Sequence, residues 1–359
     1  MASLDGNAIV YCEGFFNTTN GKTAHGLVRK TRRYDVVALV DTRYAGNDAG
    51  DVLDGKNYGI PIFRTIDEAL AASRERGTPA KYFVNGITPD GGAVSPETRA
   101  AAKRALELGL CVDSGAHDFL SDDPELAILA ASKGLKIRDV RKTPGRKELH
   151  FFSGKIDEVK CLKVAMLGTD SAVGKRTTAW ILVDALVKAG FKAEMVGTGQ
   201  TAWMQGAKYH IILDSLINDF ISGEIEHAVW SAWNENRPDV IVIEGQGSLM
   251  NPAYPGGFEI LAAGRPDVVI MQHPPTRKEY DGFPGYKLHP LDVQIRAIEF
   301  ISGKPVVAIA INHEGIPAAD IPRVVEETGK SVELPAIDPL TQGADVLVDA
   351  LRPHIRKRR

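Results

Sequence analysis

Residues 168–178 read Gly-Thr-Asp-Ser-Ala-Val-Gly-Lys-Arg-Thr-Thr, between the apolar run Lys163-Val-Ala-Met-Leu and a helical pattern. A glycine-rich turn that joins a buried strand to a helix makes a phosphate-binding loop, with bare amides at the helix N-terminus. In the usual P-loop the residue after the lysine is Ser or Thr, whose hydroxyl holds the Mg²⁺ of a nucleoside triphosphate. Here that residue is Arg176. The loop keeps Gly168, Thr169, Ser171, Gly174, Lys175, Thr177 and Thr178 as an anion-binding set. A loop that grips phosphate without that hydroxyl suits a nucleotide-like ligand that is held and not hydrolysed. Coenzyme A fits, since it carries a diphosphate and a 3′-phosphate and needs no metal. The competing reading is an ATP site in which Thr177 or Thr178 takes over the metal.

The chain is long enough for two domains, with 359 residues, 44% hydrophobic and 25% charged. Its net charge of −3 argues against a nucleic-acid or anionic-membrane partner. The basic tail Arg352–Arg359 reads as a solvated terminus. Met1-Ala-Ser-Leu-Asp-Gly-Asn lacks the basic and apolar regions of a secretory signal, and no apolar run approaches a membrane span, so the cytoplasm is the expected address. Cys12, Cys111 and Cys161 are scattered and odd in number, which predicts packing as small hydrophobes and no metal site.

Strand-like runs alternate with helical ones throughout, the α/β signature. The first half offers Ala8-Ile-Val-Tyr-Cys, Tyr34-Asp-Val-Val-Ala-Leu-Val, Lys81-Tyr-Phe-Val and Leu110-Cys-Val. Thr65 starts a helix that stops at Gly77; Ser95-Pro96 and Asp123-Pro124 start others that end near Gly109 and Gly134. Thr143-Pro-Gly-Arg-Lys-Glu, on to about Lys160, breaks the rhythm, so we expect one domain over 1–148 and a second over 149–359. The second half restarts with the Lys163 strand, then Lys192-Ala-Glu-Met-Val, Val240-Ile-Val-Ile, Val268-Val-Ile-Met and Val306-Val-Ala-Ile-Ala-Ile.

Strand ends gather ligands in open α/β sheets. Val240-Ile-Val-Ile ends in Glu244, at the place of a Walker B acid, and we read it as a proton acceptor. Asp170 and His273 are the alternates. Gly197-Thr-Gly-Gln-Thr201 allows close backbone approach at Gly199 and Gln200, and Trp203 either stacks on a ligand or fills core. Gln272-His-Pro-Pro-Thr-Arg-Lys offers Arg277 and Lys278 as a clamp for a carboxylate. In the first domain, Asn17-Thr-Thr-Asn-Gly-Lys-Thr23 is either a second anion loop or plain turn chemistry. Asp41 sits where a dinucleotide fold places its ribose carboxylate, but Gly-x-Gly-x-x-Gly is missing, so NAD is poorly supported. Asp41, Arg43 and Ser114 are further polar strand-end residues that could face substrate.

Taken together, Gly168-Thr-Asp-Ser-Ala-Val-Gly-Lys-Arg-Thr-Thr, Gly197-Thr-Gly-Gln-Thr-Ala-Trp-Met-Gln-Gly and Glu244-Gly-Gln-Gly-Ser resemble a family long catalogued as a domain of unknown function, which includes D-glutamate N-acetyltransferases. The resemblance extends to Asp41-Thr-Arg-Tyr-Ala-Gly and Asp139-Val-Arg-Lys and covers nearly the whole chain. It implies a Rossmann-like N-terminal domain, a P-loop C-terminal domain, acetyl-CoA as donor, D-glutamate as acceptor and a role in D-amino-acid catabolism. A remoter likeness is to dethiobiotin synthetases, whose loop continues with Thr where this chain has Arg176; it implies an ATP- and Mg²⁺-dependent ligase or kinase. The expected partners are therefore small molecules, with no nucleic acid, membrane or metal, in a homo-oligomer.

Overall fold

The computed structural model describes residues 4–355; residues 1–3 and the last four of the basic tail lie outside the described residues. The chain divides into two compact units, residues 4–144 with Gln200–Ala207, and Gly145–Gly199 with residues 208–355. Both are built on fully parallel sheets. No helix among the described residues is long and apolar enough to cross a membrane.

In the first unit the strands are β1 (Gly6–Tyr11), β2 (Tyr34–Val40), β3 (Ile62–Phe63), β4 (Tyr82–Asn85), β5 (Cys111–Ser114) and β6 (Ile137–Asp139). Their order β3-β2-β1-β4-β5-β6 is that of a dinucleotide-binding sheet. The helices α1 (Lys22–Arg29), α2 (Ala49–Asp54), α3 (Ile66–Glu75), α4 (Pro96–Glu107) and α5 (Pro124–Ser132) cover it. Their starts follow from side-chain caps: Thr65 accepts from the Glu68 amide, Ser95 from Thr98, and Asp123 from Glu125 and Leu126. Just past their ends Gly77, Gly109 and Gly134 take positive φ, which costs a glycine nothing. Phe16, Leu27, Leu39, Phe83, Leu106 and Leu126 are fully buried and form the core.

Asp41, at the end of β2, is wholly buried and turns inward. Its carboxylate accepts from the Phe16 amide (3.0 Å) and from the Arg43 side chain (2.8 and 3.1 Å), and Arg43 also donates to the Phe16 carbonyl. The internal carboxylate thus organises the loop after β1. In the Gly21-Lys22-Thr23 turn a Cβ on Gly21 would lie 2.6 Å from the Phe15 carbonyl, and Thr23 hydrogen-bonds to Thr88 and Thr201. Gly21 and Thr23 are thus closely packed. Ser114 is buried and bonds the Ala116 amide, closing a turn.

The second unit contains β7 (Leu162–Gly168), α6 (Lys175–Lys188), β8 (Ala193–Gly197), β9 (Tyr209–His210), α8 (Asn218–Asn236), β10 (Val240–Glu244), α9 (Phe258–Ala263), β11 (Val268–His273), α10 (Leu291–Ser302), β12 (Val306–Ile311), α11 (Ile321–Val332), β13 (Ala336–Ile337), α12 (Pro339–Gln342) and α13 (Asp345–Leu351). The sheet order is β13-β12-β11-β7-β10-β8-β9. The P-loop strand β7 therefore lies between β10 and β11, with Glu244 opposite Met166 and Gln272 opposite Gly168. The strands read as continuous apolar runs because both faces are covered.

The short helix α7 (Gln200–Met204) follows β8 in sequence and yet belongs to the first unit. There Trp203 lies under the Arg33 guanidinium at 3.8 Å, with Arg138 at 5.1 Å. Gln205 donates to the carbonyls of Gly26 (2.9 Å) and Lys30 (2.8 Å), satisfying the last turn of α1. Gln205→Ala leaves those carbonyls without this donor, so it should destabilise the first unit by about 1–3 kcal/mol. A chemical-denaturation midpoint unchanged from the parent protein would show that α7 does not support this unit.

Candidate active site at the P-loop

The P-loop is organised by its own carboxylate. Asp170 is fully buried. Its Oδ1 accepts from the Ser171 amide (2.7 Å) and Asn251 Nδ2 (2.7 Å); its Oδ2 accepts from Arg277 (2.9 Å) and the Asp281 amide (2.8 Å). Four donors saturate a carboxylate. Three of them come from the chain that follows β10 and β11, so Asp170 ties both flanking segments to the loop.

Lys175 begins α6, and its Nζ donates to the carbonyls of Asp170 and Gly247, each at 2.7 Å. Gly174 before it takes φ +99°, a conformation that excludes an ordinary side chain. At the other end of the loop a Cβ on Gly168 would press on Val173, Lys175 and the Gln272 carbonyl at 3.0–3.2 Å. The Thr178 hydroxyl is buried and donates to Gln272 Oε1 at 2.5 Å. Thr169 hydrogen-bonds His273 Nδ1 at 3.0 Å, and Ser171 reaches Asp281 at 3.4 Å. Arg176 and Thr177 are half-buried on the first turn of α6.

Glu244 lies at the end of β10, almost completely buried, with Oε2 accepting from the Thr198 amide at 2.8 Å. Burial pushes its carboxyl above the ordinary range; the Arg176 charge, the Thr198 hydrogen bonds and the Lys175 charge oppose this without cancelling it. Thr198 is held in turn by Gln246 at 2.9 Å, and Gly199 is close enough that a Cβ would lie 3.2 Å from the Gln246 amide. His273, on the other neighbouring strand, shifts the opposite way: burial, then the Lys278 charge, bring it down to about 4. Its imidazole is neutral at physiological pH and a poor base there. The two neighbouring strands thus present a carboxyl that holds its proton more tightly and an imidazole that sheds it.

The P-loop residues, Gly199, Glu244, Asp170, His273, Arg277 and Lys278 all lie in this unit; Gln200, Asp41, Arg43 and Ser114 lie in the first. Arg277 spends its guanidinium on Asp170, the Ser171 carbonyl and Glu314. Lys278 is exposed and makes no ion pair among the described residues, so it is the cation of that pair left facing solvent. Gln272, Asn251, Asp281 and Thr198 escape a reading by sequence. Only Gln272 carries a signal, as a polar residue closing an apolar strand beside His273. No cluster of three or more metal-ligating side chains occurs among the described residues.

Asp170→Asn removes the charge opposite a largely buried arginine, and breaking such a pair costs about 3–5 kcal/mol. The variant should unfold at clearly lower denaturant than the parent protein. Equal midpoints would show that the carboxylate does not organise the loop.

Two family models match the chain: a DUF1611 Rossmann-like domain over residues 42–143 and a DUF1611 P-loop domain over residues 150–348. A crystal structure of a DUF1611 family protein from Anabaena variabilis superposes with a TM-score of 0.88 at 28% identity, covering 97% of this chain and 99% of that one. A D-glutamate N-acetyltransferase from Tritonibacter scottomollicae is 33% identical over 83% of this chain and 86% of its own length. A second protein of that name, from a Pseudoalteromonas species, is 29% identical over 75% of this chain and 80% of its own length. The chain belongs to the DUF1611 family.

Proposed function

We propose that the protein transfers the acetyl group of acetyl-CoA to the amine of an acidic amino acid, D-glutamate first among them. The observation that carries this reading is the buried carboxyl of Glu244 at the end of the strand beside an anion-binding loop whose metal-ligand position is Arg176. The names of the two similar D-glutamate N-acetyltransferases support D-glutamate as the acceptor.

In this reading the loop amides and Lys175 hold the CoA phosphates, with Arg176 supplying further positive charge. An amino acid arrives as an ammonium. Glu244 takes one proton, the freed amine attacks the thioester carbonyl, the C–S bond breaks, and the proton returns to the departing thiolate. Acetylated amine and free thiol result, and the second ammonium proton goes to solvent. Lys278 is the cation available for an acceptor carboxylate, since Arg277 is committed to the loop. An ATP–Mg²⁺ reading would need Thr177 or Thr178 to take over the metal from the position that Arg176 fills, and the Thr178 hydroxyl already donates to Gln272.

Lys175→Ala should weaken acetyl-CoA binding roughly 10- to 100-fold, the scale of lost charge-assisted hydrogen bonds, while the far-UV spectrum stays unchanged. Unchanged affinity would remove the donor from the P-loop. Glu244→Gln keeps size and polarity and removes basicity, so kcat should fall by roughly 10²–10⁴ with acetyl-CoA affinity little altered. A near-normal kcat with a raised KM would assign Glu244 to binding.

The pH profile follows from the same shift. A base must be deprotonated to act, and the Glu244 proton is held above the ordinary carboxylate range, so activity should fall as pH drops through that raised value. His273 titrates near 4 and would give a limb there. An acidic limb near 4 that vanishes on His273→Gln would transfer the role of base to His273.

A further inference from the structure

The segments that Asp170 ties down carry an aromatic rim. Tyr254, after β10, meets Phe283, after β11, at 6.5 Å between ring centres and an interplanar angle of 66°. Phe283 meets Tyr286 at 6.4 Å and 81°. Tyr254 is 51% exposed and Tyr286 59% exposed, so two large ring faces in this continuous trio are open to solvent. Exposed aromatic surface of this kind marks binding sites more often than stray packing.

The rim is rigid and fixed beside the loop. Asp281 donates its amide to Asp170 and hydrogen-bonds Ser171, two residues before Phe283. Backbone hydrogen bonds from Phe283 to Tyr280, Tyr286 to Phe283 and Tyr280 to Tyr286 close this turn, and Tyr280 hydrogen-bonds His289 at 2.7 Å. On the other side Asn251 bonds Asp170 and accepts from the amides of Ala253 and Tyr254. Gly247, which carries the carbonyl held by Lys175, admits no side chain because a Cβ would lie 1.9 Å from the Tyr254 carbonyl. A preformed aromatic surface loses little freedom when a flat ligand lands on it.

We infer that Tyr254 and Tyr286, backed by Phe283, form the stacking surface for the adenine ring of the coenzyme whose phosphates the P-loop holds. This rests on the acetyl-CoA reading above. A purine offers a π-face of matching size. The hydrogen bonds of Asp170 and Asp281 tie the segments that carry that surface to the phosphate loop, within reach of the base of a ligand whose phosphates the loop holds.

The test uses the full-length protein and two donors, acetyl-CoA and the acetyl thioester of 4′-phosphopantetheine, which keeps the thioester arm and a phosphate but lacks the adenine nucleotide. Y254A, Y286A and the double variant are compared with Lys175→Ala. Stacking is lost on the scale of alanine substitutions under a base, so each tyrosine change should raise KM for acetyl-CoA roughly 5- to 30-fold and leave KM for the phosphopantetheine donor unchanged. Equal losses for both donors would place the rings against the pantetheine arm and overturn the inference. So would unchanged KM for acetyl-CoA in a tyrosine variant when Lys175→Ala is impaired. If Lys175→Ala is itself unimpaired, the phosphate-loop reading fails first, and the rim inference falls with it.

Discussion

The second unit turns on one buried carboxylate. Asp170 accepts four hydrogen bonds, and the donors do three jobs: Ser171 shapes the loop, Asn251 folds back the chain after Glu244, and Arg277 and Asp281 fix the chain after His273. Without that charge the guanidinium of Arg277 would lose its principal buried partner, and two long connections would lose their shared anchor. A carboxylate is the economical solution here because its acceptor sites can serve four donors at once, whereas an amide must give up one oxygen for a donor group. The first unit repeats the device at Asp41, where a strand-end carboxylate organises the loop after β1. The outcome differs. Asp41 gathers the loop after β1 around itself, while Asp170 draws the chain after β10 and β11 onto the P-loop.

The sheet order then decides what stands beside the loop. Because β7 has β10 and β11 as neighbours, the last residues of those strands, Glu244 and His273, flank the phosphate loop from opposite sides. The two groups titrate in opposite directions for one reason: burial disfavours charge, and that raises an acid and lowers a base. Arg176 works on the same balance by partly offsetting the burial of Glu244, so the residue that departs from the usual P-loop pattern also tunes the neighbouring acid.

Much of this was readable in the sequence because the signals are local. Thr65, Ser95 and Asp123 cap the helices they announce, and the apolar runs at Val240 and Val268 are strands whose ends carry Glu244 and His273. The two-residue strands β3, β9 and β13 give too little pattern to be seen. The Gly197-Thr-Gly-Gln turn looks like one continuous strand-end loop, but the chain changes unit between Gly199 and Gln200, and only tertiary packing of Trp203 and Gln205 decides that. Arg277 reads as a substrate clamp because a strand-end arginine is a good carboxylate fork; its actual carboxylates, Asp170 and Glu314, lie over 100 and 37 residues away in sequence. Asn251 and Asp281 are invisible for the same reason. Each is an ordinary loop residue until the fold brings it to Asp170.

The most direct measurement of the central claim is thiol release from acetyl-CoA by the purified protein, with D- and L-glutamate as acceptors, in EDTA and in Mg²⁺ with ATP. The account predicts thiol release that depends on D-glutamate, yields the N-acetylated amino acid in equal amount, and is the same in EDTA. Absence of thiol release with either enantiomer, together with ATP consumption that requires Mg²⁺, would contradict it.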